Sequence, residues 1–239
     1  MAKRLAERAD LEVVLSLAGR TMSPIPQPVP VRSGGFGGAA GLADYLTERG
    51  IDAMIDATHP YAHAMSENAS VAANRFSVPF IALRRPPWLA IGGDRWTEAA
   101  DVGEAVDMLG NRPRRVFVAL GRSALAPFTV APQHFYLIRS VDPVDPPLPL
   151  PQAAYVTARG PFSEAGDRAL LIDHAIDIVV AKNSGGAASY GKIAAARALG
   201  IAVIMLRRPP APDAPTVETI DEVIAWLDHA LTSAAARGV

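Results

Sequence analysis

The sequence contains no cysteine. Disulfides, thiolate nucleophiles and cysteine-ligated zinc or iron–sulfur clusters are therefore excluded. An excess of either charge is missing too: 23 Lys and Arg stand against 24 Asp and Glu, a net charge of −1, with no block of like charges. A nucleic-acid reader or a polybasic membrane binder would carry such a block. No apolar run approaches the roughly 18 residues that span a bilayer. Residues 1–10 carry charges rather than the apolar centre of a signal peptide. The expectation is a soluble, cytoplasmic, globular protein with neither nucleic acid nor membrane as partner. Its 239 residues allow one large domain or two small ones at roughly 100–200 residues each, enough to fold without covalent staples.

Proline, by contrast, is abundant: 21 residues, where an average share of about 5% would give far fewer. Pro24, Pro26, Pro28 and Pro30 form one group, and Pro143, Pro146, Pro147, Pro149 and Pro151 another. Neither group can be helix or central strand, so both read as extended connections. Between the connections, short apolar runs alternate with helical patterns. Strands are predicted over 11–17, 53–57, 80–83, 116–120, 135–141, 154–158, 178–181 and 203–206, and helices over 39–49, 61–76, 163–174, 190–199 and 221–236. Continuous apolar strands each followed by a helix define an α/β fold with parallel sheets covered on both faces. The pattern also echoes itself. Ile51-Asp52 opens a strand–helix–strand unit that closes on Leu83-Arg84-Arg85-Pro86-Pro87; Ile176-Asp177 opens a second that closes on Leu206-Arg207-Arg208-Pro209-Pro210. The offsets are 125 and 123 residues. Two Rossmann-like domains are expected, 1–111 and 112–239, with a ligand cleft between them.

In parallel α/β sheets, ligands sit beyond the carboxyl ends of the strands. Four segments there are too polar or too glycine-rich for plain connectors. The first predicted strand ends in Ala18-Gly19-Arg20-Thr21, where Arg20 either holds the 2′-phosphate of NADPH or is a solvated turn residue. Ser33-Gly34-Gly35-Phe36-Gly37-Gly38 precedes a helix whose N-terminus suits a pyrophosphate, although Ala40 stands where G-x-G-x-x-G needs its last glycine. In Asp56-Ala57-Thr58-His59-Pro60-Tyr61, Thr58 is expected to cap the next helix and Pro60 to occupy its first turn. His59 and Tyr61 are then left without a packing role. Lys182-Asn183-Ser184-Gly185-Gly186 holds the equivalent place in the second repeat and suits an anion, without the order of a P-loop. Arg122 and Arg159 add cations at the same edge, and three cations there favour a carboxylate-rich substrate over simple solvation. There is no G-x-S-x-G elbow, no H-E-x-x-H and no carboxylate–histidine spacing for a metal, so a cofactor is expected to supply the chemistry.

These segments together resemble a known family, the precorrin-6A and cobalt-precorrin-6A reductases of vitamin B12 biosynthesis. The matching residues are Ser16-Leu17-Ala18-Gly19-Arg20-Thr21, Gly34-Gly35-Phe36-Gly37-Gly38, Asp56-Ala57-Thr58-His59-Pro60-Tyr61-Ala62, Leu83-Arg84-Arg85-Pro86-Pro87-Trp88, Gly121-Arg122, Arg159-Gly160-Pro161-Phe162 and Lys182-Asn183-Ser184-Gly185-Gly186. The resemblance implies an NADPH-dependent reductase that saturates one macrocycle double bond of precorrin-6A, or of its cobalt form, to give precorrin-6B. By that analogy Ser16, Gly19, Arg20, Gly35, Phe36, Gly37, Gly38 and Thr58 face NADPH. Arg122, Arg159, Lys182, Asn183, Ser184, Gly185 and Gly186 bind the carboxylate-bearing tetrapyrrole. His59 and Tyr61 are the candidate catalytic groups, as proton donors or positioning groups, and no metal is implied. Neighbouring cobalamin-pathway enzymes are the macromolecular partners that the analogy allows.

The chain departs from the family pattern at its start. Family members open with an apolar strand running into a Gly-Gly-Thr-x-Glu turn; this sequence opens within the following helix, at Met1-Ala2-Lys3-Arg4. The expectation is a first sheet lacking a central strand, with two unpaired strand edges, in a natural protein that begins upstream. The rival to the reductase is a non-catalytic two-domain protein that binds an anionic small molecule or a tetrapyrrole. A sugar-nucleotide dehydrogenase is disfavoured, because no tyrosine has a lysine four residues on.

Overall fold

Val116-Phe117-Val118 and Ile178-Val179-Val180 are fully or almost fully buried, each flanked on both sides by further strands and helices. Uninterrupted β-branched and aromatic runs of this kind belong to parallel strands covered on both faces. A computed structural model describes residues 1–19 and 21–237 and places these strands at the centre of an α/β fold. The chain folds as two compact units, one made of Met1–Arg85 with Pro209–Val239 and the other of Pro86–Arg208.

The first stretch of chain contains α1 (Ala2–Ala6), β1 (Leu15–Leu17), β2 (Val31–Ser33), α2 (Gly38–Glu48), β3 (Met54–Asp56), α3 (His63–Arg75) and β4 (Phe80–Leu83). The middle stretch adds β5 (Trp96–Ala99), α4 (Val102–Asp107), β6 (Arg115–Ala119), β7 (Phe135–Ser140), β8 (Ala153–Thr157), α5 (Glu164–Asp173), β9 (Ile178–Lys182), α6 (Gly191–Leu199) and β10 (Ala202–Leu206). The chain then returns to the first unit with β11 (Thr216–Val217) and α7 (Ile220–Arg237).

The second unit is one six-stranded sheet in the order β5-β10-β9-β6-β7-β8, parallel throughout. Phe117, Leu137, Val179, Ile193 and Met205 form its core. The strand order reverses between β6 and β9, because the chain runs outward from β6 to β8 and returns on the other side of β6. That is the switch point at which open parallel sheets bind ligands.

In the first unit the strands form two separate parallel sets, β1-β2 and β11-β4-β3. Among the described residues, no ladder joins β1 to β3. The core here is built from small residues, with Leu42 and Leu46 of α2 packed against Ala69, Ala72 and Ala73 of α3. The strand expected over 11–17 shrinks to Leu15–Leu17, since among the described residues β1 pairs with β2 alone and Val14 is exposed.

The expected boundary near Asn111 is corrected to Arg85–Pro86 and Arg208–Pro209. At each Arg-Arg-Pro-Pro exit the chain leaves one unit and gives an edge strand and a helix to the other. After residues 84–87 it forms β5, which pairs with β10, and then α4; after 207–210 it forms β11, which pairs with β4, and then α7. Both additions begin with their own caps. Asp101 accepts from the Glu104 amide while the Glu104 carboxylate accepts from the Ala100 amide. Thr219 and Glu222 are more directly reciprocal, each side chain accepting from the other's amide. These are capping boxes, each serving donors that a helix start leaves over.

Candidate functional site

In the first unit, the amide of Gly34 donates to Leu17 O at 2.9 Å, and Gly19 lies directly against Ser33 and Gly34. The end of β1 and the glycine loop after β2 are thereby one surface. Ser16 and Arg32 are register partners on the two strands, with Arg32 Nη1 3.4 Å from the exposed Ser16 hydroxyl. Gly34, Gly37 and Gly38 all have positive φ, and a side chain built on any of them, or on Gly35, would meet open space. Gly37 is the N-cap of α2 and offers no side-chain acceptor to the first amides of the helix. Backbone donors in such a concavity suit an anionic group such as a pyrophosphate. Gly41 supplies the close helix–loop approach for which a glycine was expected at position 40: a Cβ there would lie 1.9 Å from Phe36 O. Arg20 lies outside the described residues.

Phe36 is held from below by a residue that sequence reasoning missed. The Arg32 guanidinium sits 3.7 Å from the Phe36 ring centre, and its two terminal nitrogens donate to Gly34 O at 2.6 Å and Gly35 O at 2.8 Å. Arg32 thus fixes the loop's carbonyls on one side. Nothing but an alternating Val-Arg-Ser stretch marks it in the sequence.

Thr58, His59 and Tyr61 follow β3, which belongs to the other parallel set. The expectation that Thr58 caps the following helix is corrected. α3 begins at His63 with Ala62 as its N-cap, while the Thr58 amide donates to Asp56 Oδ1 and its hydroxyl pairs with that of Ser66. Two turn residues, Pro60 and Tyr61, separate the Asx-type turn from the helix. The exposed His59 ring receives the Tyr61 amide on Nδ1 at 3.3 Å, and the two rings lie 5.6 Å apart. With Nδ1 accepting, the neutral imidazole carries its proton on Nε2.

In the second unit, the switch point brings together two of the expected anion-binding segments. Ala119 and Ala181 are register partners at the ends of β6 and β9, so Gly121-Arg122 and Lys182-Asn183-Ser184 emerge side by side. Arg122 leans on the loop after β7, 3.5 Å from Asp142 Oδ2 and 3.3 Å from Pro143 O. Arg159 is exposed beyond β8, and its loop is tied to the region after β9 by Phe162 N donating to Ala188 O at 2.9 Å.

Asn183 has a different place from the one expected of a substrate contact. Its side-chain oxygen accepts from Trp88 N at 2.8 Å and its side-chain nitrogen donates to Trp88 O at 2.9 Å. Trp88 Nε1 also donates to Gly186 O at 2.9 Å. Gly185 is buried at φ +67, and a Cβ on it would lie 2.2 Å from Pro86 O. The loop is therefore moulded onto the 86–88 segment. Lys182, Ser184 and the amides of Gly185 and Gly186 are its remaining groups with anion-binding chemistry.

A buried charge cluster lies nearby. Arg139 and Asp167 form an ion pair, 7% and 3% exposed, with Arg139 3.7 Å from the Phe162 ring centre. Lys192, 3% exposed, donates to Ser189 O at 2.6 Å and lies 5.0 Å from the Trp88 ring. Burial, and secondarily the Arg139 charge, push the Lys192 ammonium down to about 7, with Asp167 opposing. Among the described residues, no group of His, Asp or Glu could hold a metal, and no helix is long and apolar enough to cross a membrane.

Two parallel α/β units, with glycine-rich and cation-bearing loops at strand ends suited to anionic ligands, define a Rossmann-like protein. The family described as "Precorrin-6x reductase CbiJ/CobK" matches residues 1–228, and the chain belongs to that family, whose reductases serve cobalamin biosynthesis. It is 55% identical over 234 residues to a precorrin-6A reductase of Sinorhizobium sp, covering 98% of this chain and 90% of that one. The Rhodobacter capsulatus precorrin-6A reductase is 50% identical over 240 residues, covering 100% and 94%. A cobalt-precorrin-6A reductase of Priestia megaterium is 30% identical over 202 residues, covering 80% and 77%. A solved structure titled "CobK precorrin-6A reductase" superimposes with a TM-score of 0.92 at 50% identity, covering 96% of this chain and 91% of that one.

Proposed function

We propose that this chain reduces one double bond of precorrin-6A, or its cobalt form, to give precorrin-6B, with NADPH as reductant. The observation that carries the reading is the switch point of the second unit, where the Arg122 and Lys182 segments emerge together in a chain 55% identical to a precorrin-6A reductase. A macrocycle with several acetate and propionate arms needs separated cations, and Arg122, Arg159 and Lys182 supply them from three strand ends. Ser184 and the amides of Gly185 and Gly186 add hydrogen-bond donors.

The glycine loop before α2 fits the pyrophosphate of NADPH, because open space faces its glycines and the first helical amides lack a side-chain cap. Arg20 provides the cation for the 2′-phosphate, and Ser16, Gly19, Gly35, Phe36, Gly37, Gly38 and Thr58 complete that side. When bound, NADPH supplies the hydride. His59 presents Nε2–H, the edge its Tyr61 contact leaves protonated, as a hydrogen-bond donor that positions the macrocycle. Taking a proton from solvent on Nδ1 and releasing the Tyr61 amide, it becomes the imidazolium that gives its Nε2 proton to the ring carbon beside the reduced one and returns to the neutral ring. Tyr61 holds the imidazole in that tautomer.

The test is anaerobic spectroscopy. Oxidation of NADPH should require precorrin-6A and should shift the macrocycle's visible absorption in step. Macrocycle binding without NADPH oxidation would identify a non-catalytic binder instead.

A further inference from the structure

The Arg-Arg-Pro-Pro exits mark more than the boundaries of the two units. In the first unit, Arg84 Nη2 donates to Pro60 O at 3.1 Å. Pro60 lies in the Thr58-His59-Pro60-Tyr61 loop after β3, the strand beside β4. In the second unit, Arg208 Nε donates to Asn183 O at 2.7 Å, in the loop after β9, the strand beside β10. Each exit therefore sends one arginine back to a main-chain carbonyl of the loop that leaves the neighbouring strand. The main chain at each exit meanwhile pairs outward, Arg84 N to Val217 O and Arg207 N to Ala99 O, both at 2.8 Å.

The doubled arginine has a geometric reason. Successive side chains of extended backbone point to opposite sides, so one of two adjacent arginines always faces the neighbouring loop. It is the first of the pair in the first unit and the second in the second unit. The spare Arg207 lies 3.6 Å from Glu98, both well exposed. The proline that follows cannot donate a ladder hydrogen bond, so the strand stops and the arginine stays at the loop's level. Arg208 does more than hold one carbonyl: its Nη2 also reaches Pro86 O at 3.2 Å, the same oxygen that crowds Gly185.

We propose that Arg84 and Arg208 are paired positioning residues, each stapling one signature loop in its ligand-binding shape: Arg84 the 58–61 loop and Arg208 the 182–186 loop. The proposal rests on the reading that the 58–61 loop brings Thr58 to NADPH and His59 to the reacting ring, and that the 182–186 loop binds the macrocycle. The Arg208 guanidinium spans two carbonyls, which the single ammonium of lysine replaces only in part.

The experiment measures KM for precorrin-6A and for NADPH, with kcat, in Arg84→Ala, Arg84→Lys, Arg208→Ala and Arg208→Lys, beside Lys182→Ala and Arg207→Ala. Loss of a charged hydrogen-bond donor should cost about tenfold in the affected KM. Arg208→Ala raises KM for precorrin-6A and leaves that for NADPH nearly unchanged, whereas Arg84→Ala raises KM for NADPH through Thr58 and lowers kcat through His59. Arg208→Lys recovers part of the loss, and Arg207→Ala behaves as wild type. Equal rises in both KM values, or no rise in folded Arg208→Ala, would overturn the staple. Should Arg208→Ala fail to fold, Arg208→Lys decides, and a wild-type KM for precorrin-6A there overturns it. Lys182→Ala reports separately on the loop's assignment. A raised KM there with none in the Arg208 variants refutes the staple alone, and the opposite pattern refutes Lys182 as the anion contact while the staple stands.

Discussion

Asn183 and Trp88 are joined by two hydrogen bonds, in which the side-chain amide of Asn183 meets both main-chain polar groups of Trp88. The amide replaces a neighbouring strand for one residue of the 86–88 segment. That segment carries no ladder of its own before β5 begins at Trp96.

Asn183→Leu removes both bonds and leaves the two polar groups of Trp88 without these partners, at a cost of about 1–3 kcal/mol. Asn183→Asp keeps the acceptor and loses the donor, so its midpoint in urea should fall between those of wild type and Asn183→Leu. Both variants should weaken macrocycle binding through the displaced loop. A Leu variant as stable as wild type would show that the clasp adds nothing.

Lys192 sets a pH dependence of stability. Its ammonium is held near 7 in the folded chain, below its ordinary 10.5. The unfolded chain thus binds more protons between those values, and stability rises with pH across that window. Below about 7 the cost of the buried charge is fully present. Relative to Lys192→Met, wild type should gain on the order of 1 kcal/mol per pH unit between pH 7 and 9. Urea unfolding at the two pH values measures this. An identical difference at both would mean the amine stays charged among Arg139, Asp167 and Ser189.

Arg20→Ala should raise KM for NADPH far more than KM for NADH. Loss of one charge-assisted contact to a phosphate is worth about tenfold or more. Equal effects on the two nucleotides would remove Arg20 from the 2′-phosphate.

The central parallel strands were legible because burial on both faces leaves an unbroken apolar signature, as in Val116-Phe117-Val118 and Ile178-Val179-Val180. The edge strands β5 and β11 were not. Trp96-Thr97-Glu98-Ala99 is only partly buried, and Thr216-Val217 is two residues long, so neither carries a hydrophobic period. Missing them hid the exchange of β5 and β11 between the units and displaced the boundary. The repeat was read as ending at Arg-Arg-Pro-Pro, where in fact each half continues into the other unit.

The site divides the same way. Loops whose chemistry resides in local composition, Gly34 to Gly38 and Lys182 to Gly186, stood out in the sequence. Arg32 and Lys192 did not. Arg84 and Arg208 stood in a visible repeat, and Trp88 beside it, but their roles were hidden, because each acts on main-chain carbonyls or amides and no side-chain pattern records such a partner. Thr58 shows the converse error. A threonine before a proline looks like a helix cap, yet the helix starts five residues later, at His63, and the hydroxyl serves Ser66 instead.

The most direct test of the reductase reading follows the hydride itself. The purified chain is supplied with precorrin-6A and NADPH deuterated at the transferable position of its nicotinamide, and the product is weighed by mass spectrometry. The account predicts one deuterium in each macrocycle, at the reduced ring position, with one NADPH consumed. A macrocycle that is bound but returned unlabelled and unreduced would contradict it.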